Sequence, residues 1–122
     1  MSIIAGILVA LVAFEHIYIL YLEMFAWTQA RTRRIFGISK EDADTTRVLA
    51  ANQGLYNGFL AAGLVWGLLH PDAAVGWQIQ LFFVLCVVIA ALYGGLTANR
   101  RIMMTQGAPA FLSLLALVIV RV

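Results

Sequence analysis

The chain has 122 residues, of which 63% are apolar and 11% charged, with a net charge of +2 and a mean hydropathy of +0.93. Soluble domains carry about 25% charged residues, so too few groups remain here to cover a water-facing surface, and so short a chain has no room for a separate soluble domain of about 100 residues. The basic residues form no stripe with interleaved aromatics, which argues against a nucleic-acid partner, and the single Cys86 excludes an intrachain disulfide and a cysteine-based metal framework.

A membrane span needs about 20 apolar residues, and four such stretches follow one another along the chain. The first runs roughly from Ile3 to Trp27. It has neither a basic leading segment nor a small-residue cleavage site, and it carries Glu15, His16 and Glu23, so it is expected to stay in the mature protein rather than leave as a signal peptide. A longer connection, Thr28 to about Arg47, comes next. Within it Ser39 and Asp42 read as a helix start, with Glu41, Asp42 and Asp44 in a first turn that runs into the second stretch, Val48 to Leu69. His70-Pro71-Asp72 and Gly76 punctuate the next link, Trp77 to Ala98 is the third stretch, Asn99-Arg100-Arg101 the third link, and Ile102 to Val120 the fourth stretch. The last two links are tight and force antiparallel neighbours. The expected fold is all-α, an antiparallel four-transmembrane-helix bundle forming a single integral membrane domain over residues 1–122, with spans at about 3–27, 48–69, 77–98 and 102–120. Small residues four apart, Gly54/Gly58/Ala62 and Ala90/Gly94/Ala98, allow close helix approach, either within the bundle or across a homodimer face.

Orientation follows from lysine and arginine. Arg31, Arg33, Arg34, Lys40 and Arg47 lie in the first connection, Arg100 and Arg101 in the third, and only Arg121 lies elsewhere. The positive-inside rule then makes both connections cytoplasmic and puts the N-terminus, the His70 to Gly76 link and the C-terminus outside a multi-pass plasma-membrane protein. Trp27 marks the inner interface in this reading, Trp66 and Trp77 the outer one.

Polar residues inside the stretches carry the functional signal: Glu15, His16, Glu23, Asn52, Gln53, Tyr56, Asn57, Cys86, Tyr93, Thr97, Gln106 and Ser113. A charged carboxylate at mid-bilayer costs at least about 2.5 kcal/mol, so such groups usually face a bundle interior or a wet cavity. At about 100° per residue, His16, Leu20, Glu23 and Trp27 share one stripe, with Glu15 about a quarter-turn away. His16 and Glu23 are about 10 Å apart along the axis, so they can flank one ligand but cannot touch. Asn52, Gln53, Tyr56 and Asn57 span an arc of about 140°, expected to face inward. By depth, Glu23 matches Asn52 at about 6 Å and His16 matches Asn57 at about 14 to 16 Å. Tyr93, Thr97 and Gln106 share that inner end. The pattern describes a polar pocket floored by Glu15 and His16 and open to the cytoplasm. The blander reading makes Gln53, Thr97 and Gln106 interhelical hydrogen-bond glue, Cys86 a small core residue and His70 a loop residue.

The run His16 … Glu23-Met24 … Trp27, then Asn52-Gln53-Gly54-Leu55-Tyr56-Asn57-Gly58, Tyr93-Gly94-Gly95-Leu96-Thr97 and Gln106-Gly107-Ala108-Pro109-Ala110, resembles a family of small bacterial integral membrane proteins known as domain of unknown function 1304. The similarity covers essentially the whole chain, and the Asn-Gln-Gly-x-Tyr-Asn-Gly element is its most specific part. The resemblance implies a four-helix membrane fold and a bacterial origin, and brings no substrate.

Two function classes follow, beside a purely structural role with polar interhelical contacts only. In the first, a lipid-like or amphipathic small molecule is bound or converted, with His16 as general acid or base, Glu23 orienting it, and Glu15, Trp27, Asn52, Gln53, Tyr56, Asn57, Tyr93, Thr97 and Gln106 lining the site. His and Glu within helices are distantly similar in residue type to membrane sterol isomerases of the emopamil-binding kind, without a shared motif. In the second, a homodimer like the small multidrug exporters couples transport to protons, and the midplane Glu15 carries them. No zinc spacing joins His16, Glu15 and Glu23, so no metal ligands are assigned, and the sequence names no cofactor.

Overall fold

The computed structural model describes residues 3–97 and 100–121. Among them are six α-helices and no strand: α1 (Ile3–Phe25), α2 (Ala30–Phe36), α3 (Lys40–Thr45), α4 (Arg47–Leu69), α5 (Ala73–Thr97) and α6 (Arg100–Arg121). The all-α expectation holds for these residues. Two helices, α1 and α5, are long and apolar enough to cross a membrane by length and composition; the apolar part of α6, Met104–Val120, is shorter. Ala98 and Asn99, expected at the end of the third stretch and in the third link, lie outside the described residues.

The first connection is more ordered than the sequence suggests. Gly37 ends α2 with φ 68° and ψ 39°, the left-handed conformation that glycine adopts without penalty, and its N–H returns to the Arg33 carbonyl. The Ser39 hydroxyl accepts the Asp42 N–H at 3.0 Å and so starts α3 as expected. That helix does not run on into the second stretch. It stops at Thr46, whose N–H bonds the Asp42 carbonyl and whose own carbonyl accepts the Ala50 N–H of α4. The break is held by the Thr46 hydroxyl, which donates to the Asp42 carbonyl at 2.7 Å and accepts the Trp27 indole N–H at 3.1 Å.

The described residues form two units, His16–Phe59 and the remainder. In the first, the end of α1 lies antiparallel to the start of α4 at very short range. A Cβ on Gly54 would stand 2.7 Å from Met24 Cγ, 3.0 Å from Glu23 Cβ and 3.2 Å from the Leu20 carbonyl oxygen, and one on Gly58 would stand 2.6 Å from Leu20 Cδ1. The four-residue glycine spacing thus serves close helix approach.

In the second unit Val9, Val12, Leu64, Val84, Val87 and Leu117 are buried together. Asp72 caps α5, accepting the Ala74 and Val75 N–H groups at 2.9 and 3.2 Å, so this helix begins before the expected Trp77 and includes Gly76. Gly76 is needed inside the helix because a Cβ there would lie 2.6 Å from the Gly67 carbonyl oxygen. The same carbonyl accepts Gln80 Nε2 at 3.1 Å, a buried polar contact that the sequence pattern does not single out. The α5 and α6 helices run antiparallel, tied where the Trp77 indole donates to the Leu117 carbonyl at 2.8 Å. Within α6, Pro109 supplies no N–H to the helical ladder, and its carbonyl accepts the Ser113 hydroxyl at 2.9 Å.

Candidate functional site

The site is built on an inversion of the usual helical pattern. Along α1 the exposed residues Ile7, Leu11, Phe14, Tyr18, Tyr21 and Phe25 recur every three or four positions and form one apolar face. The buried side carries His16, with no exposed surface, and Glu23, 3% exposed. The helical stripe read from the sequence places both ionisable groups on the covered side, and the exposures agree with that geometry.

Glu23 finds its partner on α4. Asn57 Nδ2 donates to Glu23 Oε1 at 2.5 Å, and both side chains are buried. Depth counting pairs Glu23 with Asn52 instead. The difference comes from side-chain direction: helical side chains lean toward the N-terminus of their own helix, so on antiparallel helices Glu23 and Asn57 lean toward each other. The short asparagine reaches the carboxylate because Gly54, one turn away on α4, lets the backbones close up. Asn52 meanwhile is exposed and turns Nδ2 back to its own helix, onto the Val48 carbonyl at 2.9 Å.

The other expected site residues are distributed as follows. Gln53 is exposed, and Tyr56, 65% exposed, meets the Phe59 ring edge-on. Trp27 is held by Thr46 and lies against Phe36 with ring centroids 4.9 Å apart. Glu15, Tyr93, Thr97 and Gln106 belong to the other unit. There Glu15 is half-buried, and its Oε1 is buried with no hydrogen-bond partner among the described residues. Tyr93 is 69% exposed and its carbonyl accepts the Thr97 hydroxyl at 2.7 Å. Among the described residues no three His, Cys, Asp or Glu side chains are grouped to hold a metal ion.

A shallow groove of about 380 Å³ is lined by Met24, Arg47, Val48, Ala51, Asn52 and Leu55; neither Glu23 nor Asn57 lines it. Of its lining residues, the sequence pattern singles out Asn52 for the site and Arg47 only for orientation. The signal was present: positions 47, 48, 51, 52 and 55 recur at the spacing of one helix face.

Comparison with known proteins fixes the family. The profile of the family described as "Protein of unknown function (DUF1304)" matches residues 10–118. The chain belongs to the DUF1304 family. A relative, "Uncharacterized protein YpaA" of Lactococcus lactis subsp. lactis (strain IL1403), is 39% identical over 118 residues, covering 95% of this chain and 98% of the relative. No solved structure matches the chain. The DUF1304 match takes in Glu15, His16, Glu23, Asn52 and Asn57, so the couple and its neighbours lie inside the family segment.

Proposed function

We propose that this DUF1304 protein is a four-span protein of the bacterial inner membrane that binds or converts a small lipid-like or amphipathic molecule reached from the cytoplasmic side. One observation carries the reading: the Glu23 carboxyl, held by Asn57, is buried on a helix of membrane-spanning length whose exposed face is apolar. Water is a poor solvent for such a surface and lipid a good one, while the buried carboxyl is too expensive to keep as simple filling. In the proposed site Glu23 and Asn57 hold the polar end of the ligand. His16, two turns along the same stripe, is the acid or base for any proton transfer. A DUF1304 protein extracted in mild detergent should retain an adduct of lipid size in native mass spectrometry. Glu23→Gln should release it with little loss of thermal stability. No adduct on the wild-type chain, or a variant that is merely less stable, would leave the polar contacts as structural only.

A second reading rests on Glu15, whose buried Oε1 has no partner among the described residues near the middle of α1. A carboxyl with one buried, unpartnered oxygen near the middle of a span suits proton coupling in a small dimeric exporter. In proteoliposomes under a proton gradient, Glu15→Gln would then abolish cation efflux while Glu23→Gln would not. The ligand-binding reading expects the opposite order for adduct retention.

A further inference from the structure

The groove on α4 has a direction. Arg47 stands at its first turn, and Ala51 and Leu55 follow one and two turns further along the same face, with Met24 of α1 opposite. One end is therefore cationic, and Val48, Ala51, Leu55 and Met24 with the polar Asn52 among them line the rest over about 12 Å, a profile that suits a headgroup and the upper part of an acyl chain. Arg47 is exposed, and Asp44, three positions earlier, belongs to α3 rather than to α4. Asn52, beside the cationic end, spends one amide N–H on the Val48 carbonyl, which leaves its carbonyl oxygen for a hydroxyl donor. We propose that this groove binds one anionic phospholipid of the cytoplasmic leaflet, its phosphate on the Arg47 guanidinium and its acyl chain along Ala51, Leu55 and Met24. A planar guanidinium grips phosphate through two parallel bonds, and an apolar wall adds chain contacts that a free phosphate cannot use. The groove is a second site, lined by neither Glu23 nor Asn57; the proposal goes beyond the ligand-binding reading and rests on its membrane placement, since it needs α4 to begin at the inner leaflet.

The full-length protein in detergent is titrated with phosphatidylglycerol, with zwitterionic phosphatidylethanolamine and with soluble glycerol 3-phosphate, and occupancy is read by native mass spectrometry. Phosphatidylglycerol should bind at least about tenfold more tightly than either of the others. Arg47→Gln should remove that preference, Arg47→Lys should keep part of it, and Arg34→Gln, a charge outside the groove, should change binding less than about twofold. Ala51→Trp fills the groove and should weaken phosphatidylglycerol about tenfold, with an unchanged thermal midpoint showing that the chain is folded. Equal binding of the two lipids with no effect of Arg47→Gln overturns the groove proposal alone if Glu23→Gln still releases the native adduct. Glycerol 3-phosphate binding as tightly as the lipid overturns it in favour of a soluble phosphate site. A wild-type chain that binds no lipid overturns both this proposal and the reading beneath it.

Discussion

At the scale of single residues, the Glu23–Asn57 couple decides what a substitution does. Asn57→Leu removes the donor and leaves the carboxyl buried without it, a loss of about 1–3 kcal/mol that should appear as a lower thermal midpoint in detergent. Glu23→Gln keeps an acceptor oxygen for the Asn57 amide and should cost less than about 1 kcal/mol. If Glu23→Gln proves the more damaging of the two, the couple does not hold the helices as described. Periodicity alone makes Glu23 and His16 legible as a covered stripe, because 3.6 residues per turn puts positions 16 and 23 on one side. The partner of Glu23 is not legible in that way. Depth alone favours Asn52 and sets Asn57 about 8 to 10 Å further in; Asn57 is chosen by side-chain lean and by Gly54, which operate only once two helices are set against each other.

Between elements, the glycines make a graded prediction. At Gly54 an added Cβ meets Glu23 Cβ and the Leu20 backbone carbonyl, neither of which can swing aside, whereas at Gly58 it meets only the end of the Leu20 side chain. Gly54→Ala should therefore lose about 1–3 kcal/mol of stability and Gly58→Ala well under half as much, measured by thermal unfolding of the two purified variants. Equal losses would mean that the helices separate freely at Gly54. A cap gives a separate check: Asp72→Ala removes the acceptor for two N–H groups at the start of α5 and should cost about 1 kcal/mol. Both caps differ in how openly the sequence displays them. Ser39 with Asp42 three residues later is a local signal and is read directly. The stop at Thr46 depends on the Trp27 indole, nineteen positions away, and a local pattern carries no trace of it. Likewise Gly76 reads as a turn residue until Gly67 is seen to lie against it.

For the whole molecule, the distribution of surface and charge leads to a topology. Exposed Phe14, Tyr21, Phe25, Phe82, Leu92 and Ile119 give several helices apolar outer faces, while His16, Glu23, Asn57 and Gln80 are covered, an arrangement suited to a lipid surround. Hydropathy makes the long helices legible, but only α1 and α5 are long and apolar enough to cross a membrane; α4, with Asn52, Gln53 and Asn57, is not among them, and the apolar part of α6, Met104–Val120, is shorter. The sidedness rests on charge: seven of the eight lysines and arginines fall in the first and third connections. In the proposed four-span protein, basic residues in the links would resist transfer across the bilayer, so both connections should stay in the cytoplasm. Exposed positions suit a chemical test. In a Cys86→Ala background, Glu41→Cys lies on α3 in the first connection and Ala74→Cys at the start of α5, and both native side chains are exposed. A membrane-impermeant maleimide applied to intact cells stripped of any outer barrier should label position 74 and leave position 41 unlabelled until the membrane is permeabilised. Labelling in the reverse order would invert the protein, bring the Arg47 end of the groove to the outer leaflet, and so remove the cytoplasmic lipid from the account of its ligand.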